Sequence, residues 1–236
     1  QGGGGSPVLR GFEANRVLIV VDGVRMNNAI YRSGHLQNAI TIDPHNIDRV
    51  EVTFGSSSVG YGSDALGGVI HYYTKSPQLN NKTPVKSEFS STFNYANFSF
   101  VNNVNTALSY KNWGSLTSVS YSNFGDIRIG EKRNHGFSNW GLTPNYSLNS
   151  RNKYSEIPIS NSNPNIQKNT AYNQFDIFQK FLVRLPSEML LNINLQYSES
   201  SDIDRYDKLA EERDGSLRFS EWYYGPQKRF FLSPQL

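Results

Sequence analysis

A period of two recurs through the second part of this chain and limits its fold more than any other feature of the sequence. In segment 175–185, apolar side chains such as Ile177 and Phe181 alternate with polar ones such as Lys180. The same pattern occurs in 87–97, 104–111 and 189–197, and more loosely in 115–124. Because successive side chains of a strand point to opposite faces, these segments predict strands with one apolar and one polar face.

Composition excludes several classes of protein. The 236 residues include no cysteine, which excludes a disulfide-stapled module, a thiolate zinc site and a thiol nucleophile. The longest apolar run, Val17 to Val21, is far shorter than the roughly 18 residues of a membrane-spanning helix, so we expect no α-helical membrane protein. The 23 basic and 20 acidic residues are nearly balanced and form no basic block, so we expect no nucleic-acid partner.

The connections between the alternating segments favour a transmembrane β-barrel. Strands of about ten residues with aromatic residues near their ends are typical of outer-membrane barrels. Tight connections at 112–114 and 185–188 contrast with long polar ones at 125–170 and 200–219, a pattern typical of short periplasmic turns and long extracellular loops. A soluble antiparallel sandwich also alternates, and it is the competing fold.

The part of the chain before Lys75 has a different, glycine-punctuated pattern that predicts a small α/β unit. Apolar or alternating runs at 16–22, 49–54 and 69–75 predict its strands. Asp43-Pro44 combines an N-cap residue with proline at the first helical position, which predicts a short helical turn through Asp48. The proline-bearing segment after Lys75 predicts a linker.

Ordered sequence blocks in this N-terminal part carry a family resemblance. They are Ser6-Pro7-Val8-Leu9-Arg10-Gly11-Phe12, Asn15 to Arg25, Ile47 to Val52, and Tyr61 to Ile70. Together they resemble the plug domain of TonB-dependent outer-membrane receptors. Phe54-Gly55-Ser56 departs from the Arg-Gly-Pro usual in that family, which affects local loop contacts. Gly60 to Ala65 also fits a dinucleotide fingerprint, but Gly67-Gly68 breaks any following helix, so this motif supports no enzyme.

The resemblance implies a plug of mixed sheet and short helices over 1–75, a linker over 76–86, and over 87–236 the first strands and extracellular loops of an incomplete antiparallel barrel. Closing such a barrel takes about 22 strands, so we expect further strands elsewhere in the protein. It also implies a transporter rather than an enzyme, in the lipid of a Gram-negative outer membrane, energised by the TonB–ExbB–ExbD complex. No cofactor is implied; the implied cargo is a small iron-containing ligand or haem from a haem protein.

One histidine suggests the ligand. Tyr31 to Asn38, followed by Asp43-Pro44, resembles the plug loop of haem and haemoglobin receptors, in which a Gly-His-Leu segment presents an axial histidine to haem iron. The resemblance makes His35 the candidate axial ligand and the only candidate metal ligand, with Tyr31, Arg32 and His135 as weaker ligand-binding candidates. The alternatives are a receptor for a ferric siderophore or another nutrient, in which His35 is a packed loop residue, and a soluble β-rich binding or adhesion module.

The resemblance also suggests structural roles within the plug. Arg10, Asp22, Arg49 and Glu51 resemble the charged residues by which a plug holds its own sheet together and meets the barrel wall; ordinary solvated or paired charges are the alternative for each. The remaining residues of the motif are Gly11, Gly23, Tyr61, Gly62, Gly67 and Gly68. Glycines permit positive φ and close backbone approach, which a sheet packed inside a barrel requires. We expect His45 and His71 to be structural.

Overall fold

The structure, a computed structural model, describes residues 7–13, 16–26, 38–62, 65–80, 82–134, 136–148, 154–186 and 188–236. Within these ranges, no helix has the length and apolar character needed to cross a membrane. Four candidate ligand-binding residues, Tyr31, Arg32, His35 and His135, lie outside the described residues.

A small mixed sheet, here called the plug sheet, forms in the N-terminal part. In the described chain it has four strands, β1 (Val17–Val21), β2 (Val24–Arg25), β3 (Ile47–Thr53) and β4 (Gly68–Thr74), in the order β2-β1-β4-β3. Strands β1 and β4 are parallel, and the other pairs are antiparallel. Short 3-10 helices at Asn38–Thr41, Pro44–Asn46 and Gly55–Tyr61 connect them. The predicted α/β plug is therefore confirmed.

Local chemistry sets the turns of the plug sheet. Asp22 and Gly23 both have positive φ, 45° and 84°, which suits a two-residue hairpin between β1 and β2. The helical turn predicted through Asp48 ends earlier, at Asn46, because Ile47 has extended backbone angles and pairs with β4. A side chain at Gly67 would place its Cβ 2.3 Å from that of Phe12, so this close approach requires glycine.

The core of the plug sheet lies on both sides of β1, whose five residues are all buried. On one side, Leu18 and Val20 pack against Ala65 and Val69. On the other side the cluster is Ile19, Val21, Met26, Ile42 and Phe231. Phe231 belongs to the end of the chain, so the second cluster joins the plug sheet to the strands that follow it.

The rest of the chain forms a larger antiparallel sheet, here called the wall sheet, and its loops. In chain order the elements are β5 (Val85–Asn94), β6 (Ser99–Ser109), β7 (Trp113–Phe124), β8 (Ile127–Arg128), β9 (Asn145–Tyr146), β10 (Ile159–Ser160), β11 (Ile166–Gln167), β12 (Tyr172–Arg184), β13 (Leu190–Ser200), β14 (Ile203–Asp204), α1 (Tyr206–Leu209), β15 (Glu212–Arg213), β16 (Ser216–Leu217), β17 (Tyr223–Tyr224) and β18 (Lys228–Gln235). Among the described residues the wall sheet has six strands, in the order β5-β6-β7-β12-β13-β18.

The register of the wall sheet separates polar from apolar residues, as the period of two predicts. One row across all its strands faces the plug sheet and consists of Ser90, Asn103, Ser120, Asp176, Ser198 and Arg229. The adjacent row faces away and consists of Phe89, Val104, Val119, Ile177, Tyr197 and Phe230. We call the first side the inner face and the second the outer face.

Aromatic pairs lie at both ends of the outer face. The rings of Phe93 and Phe100 are 4.6 Å apart at one end, and those of Tyr110 and Trp113 are 4.7 Å apart at the other. At about 3.3 Å per residue, the chain rises roughly 33 Å from Phe100, near the start of β6, to Tyr110, just after its end. A tilt of about 40° reduces this to about 25 Å, the height of the apolar band of outer-membrane barrels.

The two long connections leave the same end of the wall sheet and contact each other. Residues 125–171 join β7 to β12, and residues 201–227 join β13 to β18. Asn145 Nδ2 donates to Glu212 Oε1 at 2.6 Å, and Tyr154 Oη donates to Glu221 Oε1 at 3.0 Å. The described parts of the two loops are therefore bonded to each other.

Candidate functional site at the interface of the two sheets

The plug sheet is attached to the inner face of the wall sheet by a buried ion pair. Lys180 Nζ lies 3.2 Å from Asp22 Oδ2, and these side chains are only 2% and 10% exposed. The alternation of β12 directs Lys180 inward, and the hairpin turn after β1 carries Asp22. One partner belongs to each sheet, so the pair connects them directly.

Further hydrogen bonds complete this group, which we call the Asp22 cluster (Asp22, Thr74, Ser76, Lys180 and Asn194). The Asp22 carboxylate accepts from the Thr74 amide at 2.9 Å and from Asn194 Nδ2 at 2.6 Å. Lys180 Nζ also donates to the Thr74 carbonyl at 3.3 Å and to Ser76 Oγ at 3.1 Å. Buried charges are tolerated when they are paired and hydrogen-bonded, and both conditions hold here.

A second set of contacts holds plug residues 40–43 against the inner face. Gln174 Nε2 donates to the Ile40 carbonyl at 2.7 Å, and Arg229 Nη2 donates to the Thr41 carbonyl at 2.8 Å. Ser120 Oγ donates to Asp43 Oδ2 at 2.6 Å. We call Ser120, Gln174 and Arg229 the wall seat; they lie on β7, β12 and β18.

His71 links the strands of the plug sheet from within. Its Nε2 accepts a hydrogen bond of 3.0 Å from the Gly23 amide, and its ring stacks on Tyr73 at 3.9 Å. Burial lowers the pKa of the His71 imidazole. The neutral ring is the form that can accept at Nε2, so the local geometry and the lowered pKa favour the same state. This position within β4 matches the structural role expected from the sequence.

The charged residues of the plug motif fall into two environments. Asp22 meets the wall sheet, whereas Arg49 and Glu51 bond to each other at 2.8 Å on the exposed strand β3. Arg49 lies 3.8 Å over the ring of Tyr73, and its hydrogen bond holds the pKa of the Glu51 carboxyl below its ordinary value. Arg10 lies 4.6 Å over the ring of Phe54.

The remaining motif residues lie around the turns of the plug sheet. Tyr61 meets the His71 ring edge-on at 6.4 Å, and Gly62 has a φ of 95° beside the Arg25 guanidinium. Gly11, Gly23 and Gly68 also have positive φ. In the described part of the chain, no group of three or more His, Cys, Asp or Glu side chains could hold a metal ion.

Sequence reasoning missed the wall residues of this interface. Alternation assigns Lys180, and Asn194 in segment 189–197, only to the polar face of a strand. It gives no contact between Asp43 and the wall; the N-cap predicted there is present, since Asp43 accepts from the His45 amide at 3.0 Å. The available signal was Lys180 itself, an ionisable side chain in a strand whose alternation predicts an outer-membrane barrel. Such a residue is costly unless it faces a polar partner.

Comparisons with known proteins identify a family domain in the N-terminal part of this chain. Residues 1–69 match the TonB-dependent receptor plug domain. The vitamin B12 transporter BtuB of Vibrio vulnificus is 37% identical over 107 residues, covering 41% of this chain and 17% of the relative. The hemin receptor of Yersinia enterocolitica is 47% identical over 66 residues, 28% of this chain and 9% of the relative. The ferric aerobactin receptor of Klebsiella pneumoniae is 40% identical over 80 residues, which cover 32% of this chain and 10% of the relative.

The solved structures agree on the fold. The FrpB iron transporter from Neisseria meningitidis superposes with a TM-score of 0.58 at 17% identity, over 84% of this chain and 27% of that one. This chain thus spans less than a fifth of the curated relatives and about a quarter of that structure. The match extends over both the plug sheet and the wall sheet, and the wall sheet of the described residues is not closed. Residues 1–69 of this chain therefore match a TonB-dependent receptor plug domain, and the plug sheet with the antiparallel strands that follow it has the fold seen in the FrpB structure.

Proposed function

We propose that this chain functions in a receptor that carries an iron-containing ligand, preferably haem, across the outer membrane of a Gram-negative bacterium. The observation that carries the proposal is the plug sheet held against the inner face of the wall sheet by buried polar contacts. A plug fixed in this way must be displaced before a ligand can pass. In this proposal the TonB–ExbB–ExbD complex supplies the energy, and the reaction is transport with no covalent step.

The haem preference rests on His35 and on the hemin receptor among the relatives. Ile40 and Thr41, which follow His35 closely in the sequence, are held on the wall seat. Imidazole is a suitable axial ligand for haem iron. Tyr31, Arg32 and His135 are the further residues proposed to contact the ligand.

A ferric siderophore is the second candidate ligand. The match to the ferric aerobactin receptor covers slightly more of this chain than the match to the hemin receptor, so the relatives favour neither ligand. A siderophore receptor would need no axial histidine. The role of His35 therefore separates the two proposals.

Growth on defined iron sources tests the proposed transport. The full-length receptor is expressed in a Gram-negative strain that lacks its own haem and siderophore receptors, with hemin or ferric aerobactin as the sole iron source. We expect growth on hemin. Growth on ferric aerobactin alone would mean that the ligand is the siderophore and not haem. Growth on neither iron source would contradict the proposal that the receptor takes up iron.

Spectroscopy of purified full-length receptor tests the haem ligand. We expect hemin to bind with a shift of its Soret band, and His35→Ala to abolish the shift and weaken binding. His45→Ala is the matched control, because His45 lies in the 3-10 helix at Pro44–Asn46. An unchanged spectrum in His35→Ala would remove His35 from the site.

A further inference from the structure

A cavity separates the plug sheet from the first strands of the wall sheet. Its volume of about 370 Å³ lies within the range of about 300–1,000 Å³ that is typical of ligand sites. Asp48 and Lys75 line it on the plug side, and inward-facing residues of β5, β6 and β7, such as Glu88, Ala107 and Leu116, line it on the wall side. The plug and this part of the wall are therefore already apart.

One inward-facing row of the wall sheet leads from this cavity to the Asp22 cluster. In register order, from β5 to β13, its members are Lys86, Ala107, Leu116, Lys180 and Asn194. The first three residues line the cavity, whereas the last two belong to the Asp22 cluster. The same row is thus separated from the plug at one end and bonded to it at the other.

The contacts that attach the plug lie on the bonded side of this row. The ion pair of Asp22 reaches β12, and the hydrogen bond from Asn194 comes from β13. Phe231 of β18 packs in the core cluster of β1. A movement of the plug that keeps these contacts widens the interface opposite β5 to β7, because fewer bonds have to break on that side.

The cavity lies at the end of the wall sheet away from the two long loops. Ala107 is near the end of β6 and Leu116 is near the start of β7, and the tight connection 110–112 joins these strand ends. The connections 125–171 and 201–227 leave the opposite ends of β7 and β13. In a receptor whose long loops face outward, the cavity faces the periplasm, where a transported ligand leaves.

The lining of the cavity is polar and carries charges of both signs. Lys86 Nζ lies 2.6 Å from Glu88 Oε1, and both side chains are exposed, as are Asp48 and Lys75. Such a surface can bond to the oxygen atoms of a polar ligand without an apolar pocket that would retain it. A passage needs binding that is weak enough for the ligand to leave.

We propose that a polar iron-containing ligand passes between the plug sheet and the inner face of β5, β6 and β7, through this cavity, while the Asp22 cluster keeps the plug attached to β12 and β13. This inference rests on the proposed function, and it adds the side of the plug at which the passage opens.

Ala107→Trp in the full-length receptor is the test, with Leu108→Trp as the matched control. Both residues lie near the same end of β6, but Ala107 lines the cavity, whereas Leu108 is on the outer face. Surface binding and TonB-dependent accumulation are measured with iron-labelled hemin and ferric aerobactin. Hydrogen exchange in peptides covering 17–21 reports whether the plug stays docked.

We expect Ala107→Trp to lower accumulation about tenfold, the order of effect of forcing one large side chain into a filled space. Surface binding and exchange in 17–21 should be unchanged, because the Asp22 cluster is intact. Leu108→Trp should change none of these quantities, and Ala107→Ser, which keeps a small side chain, should accumulate ligand normally. Normal accumulation in a folded Ala107→Trp receptor would overturn the proposed passage.

A label added after assembly covers the case in which Ala107→Trp does not fold. This chain has no cysteine, so Ala107→Cys and Leu108→Cys, in a full-length receptor without other cysteines, each take a maleimide at one position. We expect a bulky maleimide at position 107 to block accumulation and the same label at position 108 to leave it unchanged. Equal accumulation in the two labelled receptors would overturn the passage.

The same label separates this inference from the proposed function. If the wild-type receptor accumulates neither probe, the proposed ligands are wrong, and the reactivity of Ala107→Cys in the intact receptor decides whether the cavity is open. Ser118→Cys is the unreactive reference, because Ser118 is 1% exposed on the inner face of β7. Reaction at position 107 well above this reference supports the passage, and reaction as slow as the reference would overturn it.

Discussion

Replacing Lys180 by methionine removes one partner of the buried ion pair while keeping most of the side-chain volume. The Asp22 carboxylate, 10% exposed, would lose its only cationic partner among the described residues. It would keep its hydrogen bonds from the Thr74 amide, the Thr74 hydroxyl and Asn194. The substitution therefore tests the charge–charge contact between the two sheets with few other changes.

The expected cost is about 3 kcal/mol. Removing one partner of a buried pair typically costs about 3–5 kcal/mol, and the remaining donors to Asp22 favour the lower end of that range. At about 1.36 kcal/mol per factor of ten, this loss corresponds to a roughly 150-fold larger equilibrium constant for the opening of β1 and β4. Lys228→Met is the control: Lys228 pairs with Glu199 on the outer face and is 56% exposed, so we expect no measurable change there.

Native-state hydrogen exchange of the full-length receptor measures this effect, because it reports the opening of β1 and β4 directly. A double-mutant cycle with Asp22→Asn isolates the pair from the other bonds of the cluster. We expect the double variant to lose less stability than the sum of the single variants. A coupling energy below about 0.5 kcal/mol would refute the argument that this ion pair attaches the plug.

Three further predictions concern contacts on either side of the same interface. Burial lowers the pKa of His71 below its unfolded value of 6.5. The Gly23 amide should therefore be fully protected from exchange above pH 6.5, and its protection should fall as the pH drops through the folded pKa. In exchange measurements, His71→Gln should remove this pH dependence. Phe231 is 6% exposed and packs on the β1 core, so Phe231→Ala should weaken the docking of the plug by about 3–5 kcal/mol, measured by denaturant titration. Phe230→Ala, on the outer face, should not affect the plug. In Gly67→Ala the new Cβ would lie 2.3 Å from the Cβ of Phe12, so the region around Phe12 should no longer pack and should be cut faster by proteases. Gly130→Ala is the control, because no atom lies within 4 Å of the Cβ that it adds.

Features that depend on local sequence could be predicted. The period of two assigned Phe175 and Ile177 to one face and Asp176 to the other, and the register of β12 confirms that separation. The run 16–22 predicts the first strand of the plug, and β1 occupies Val17–Val21. In each case the information lies within a few neighbouring residues, so no knowledge of distant contacts was needed.

The contacts between the two sheets could not be predicted in the same way. Alternation determines which face Asn194 occupies, but not that it meets Asp22, 172 positions away in the sequence. The inward direction of Phe231 could not be predicted for a different reason. Phe230, Phe231 and Leu232 are all apolar, so the sequence shows no alternation there. Distant pairings depend on how the plug sheet docks, which a single sequence does not specify.

Energised uptake is the most direct test of the central claim that this chain functions in a TonB-dependent receptor whose plug must be displaced. Cells expressing the full-length receptor are given iron-labelled hemin, and label accumulated inside the outer membrane is compared between strains with and without TonB. We predict accumulation only in the strain with TonB, while surface binding is equal in both. Equal accumulation in the two strains would contradict the account.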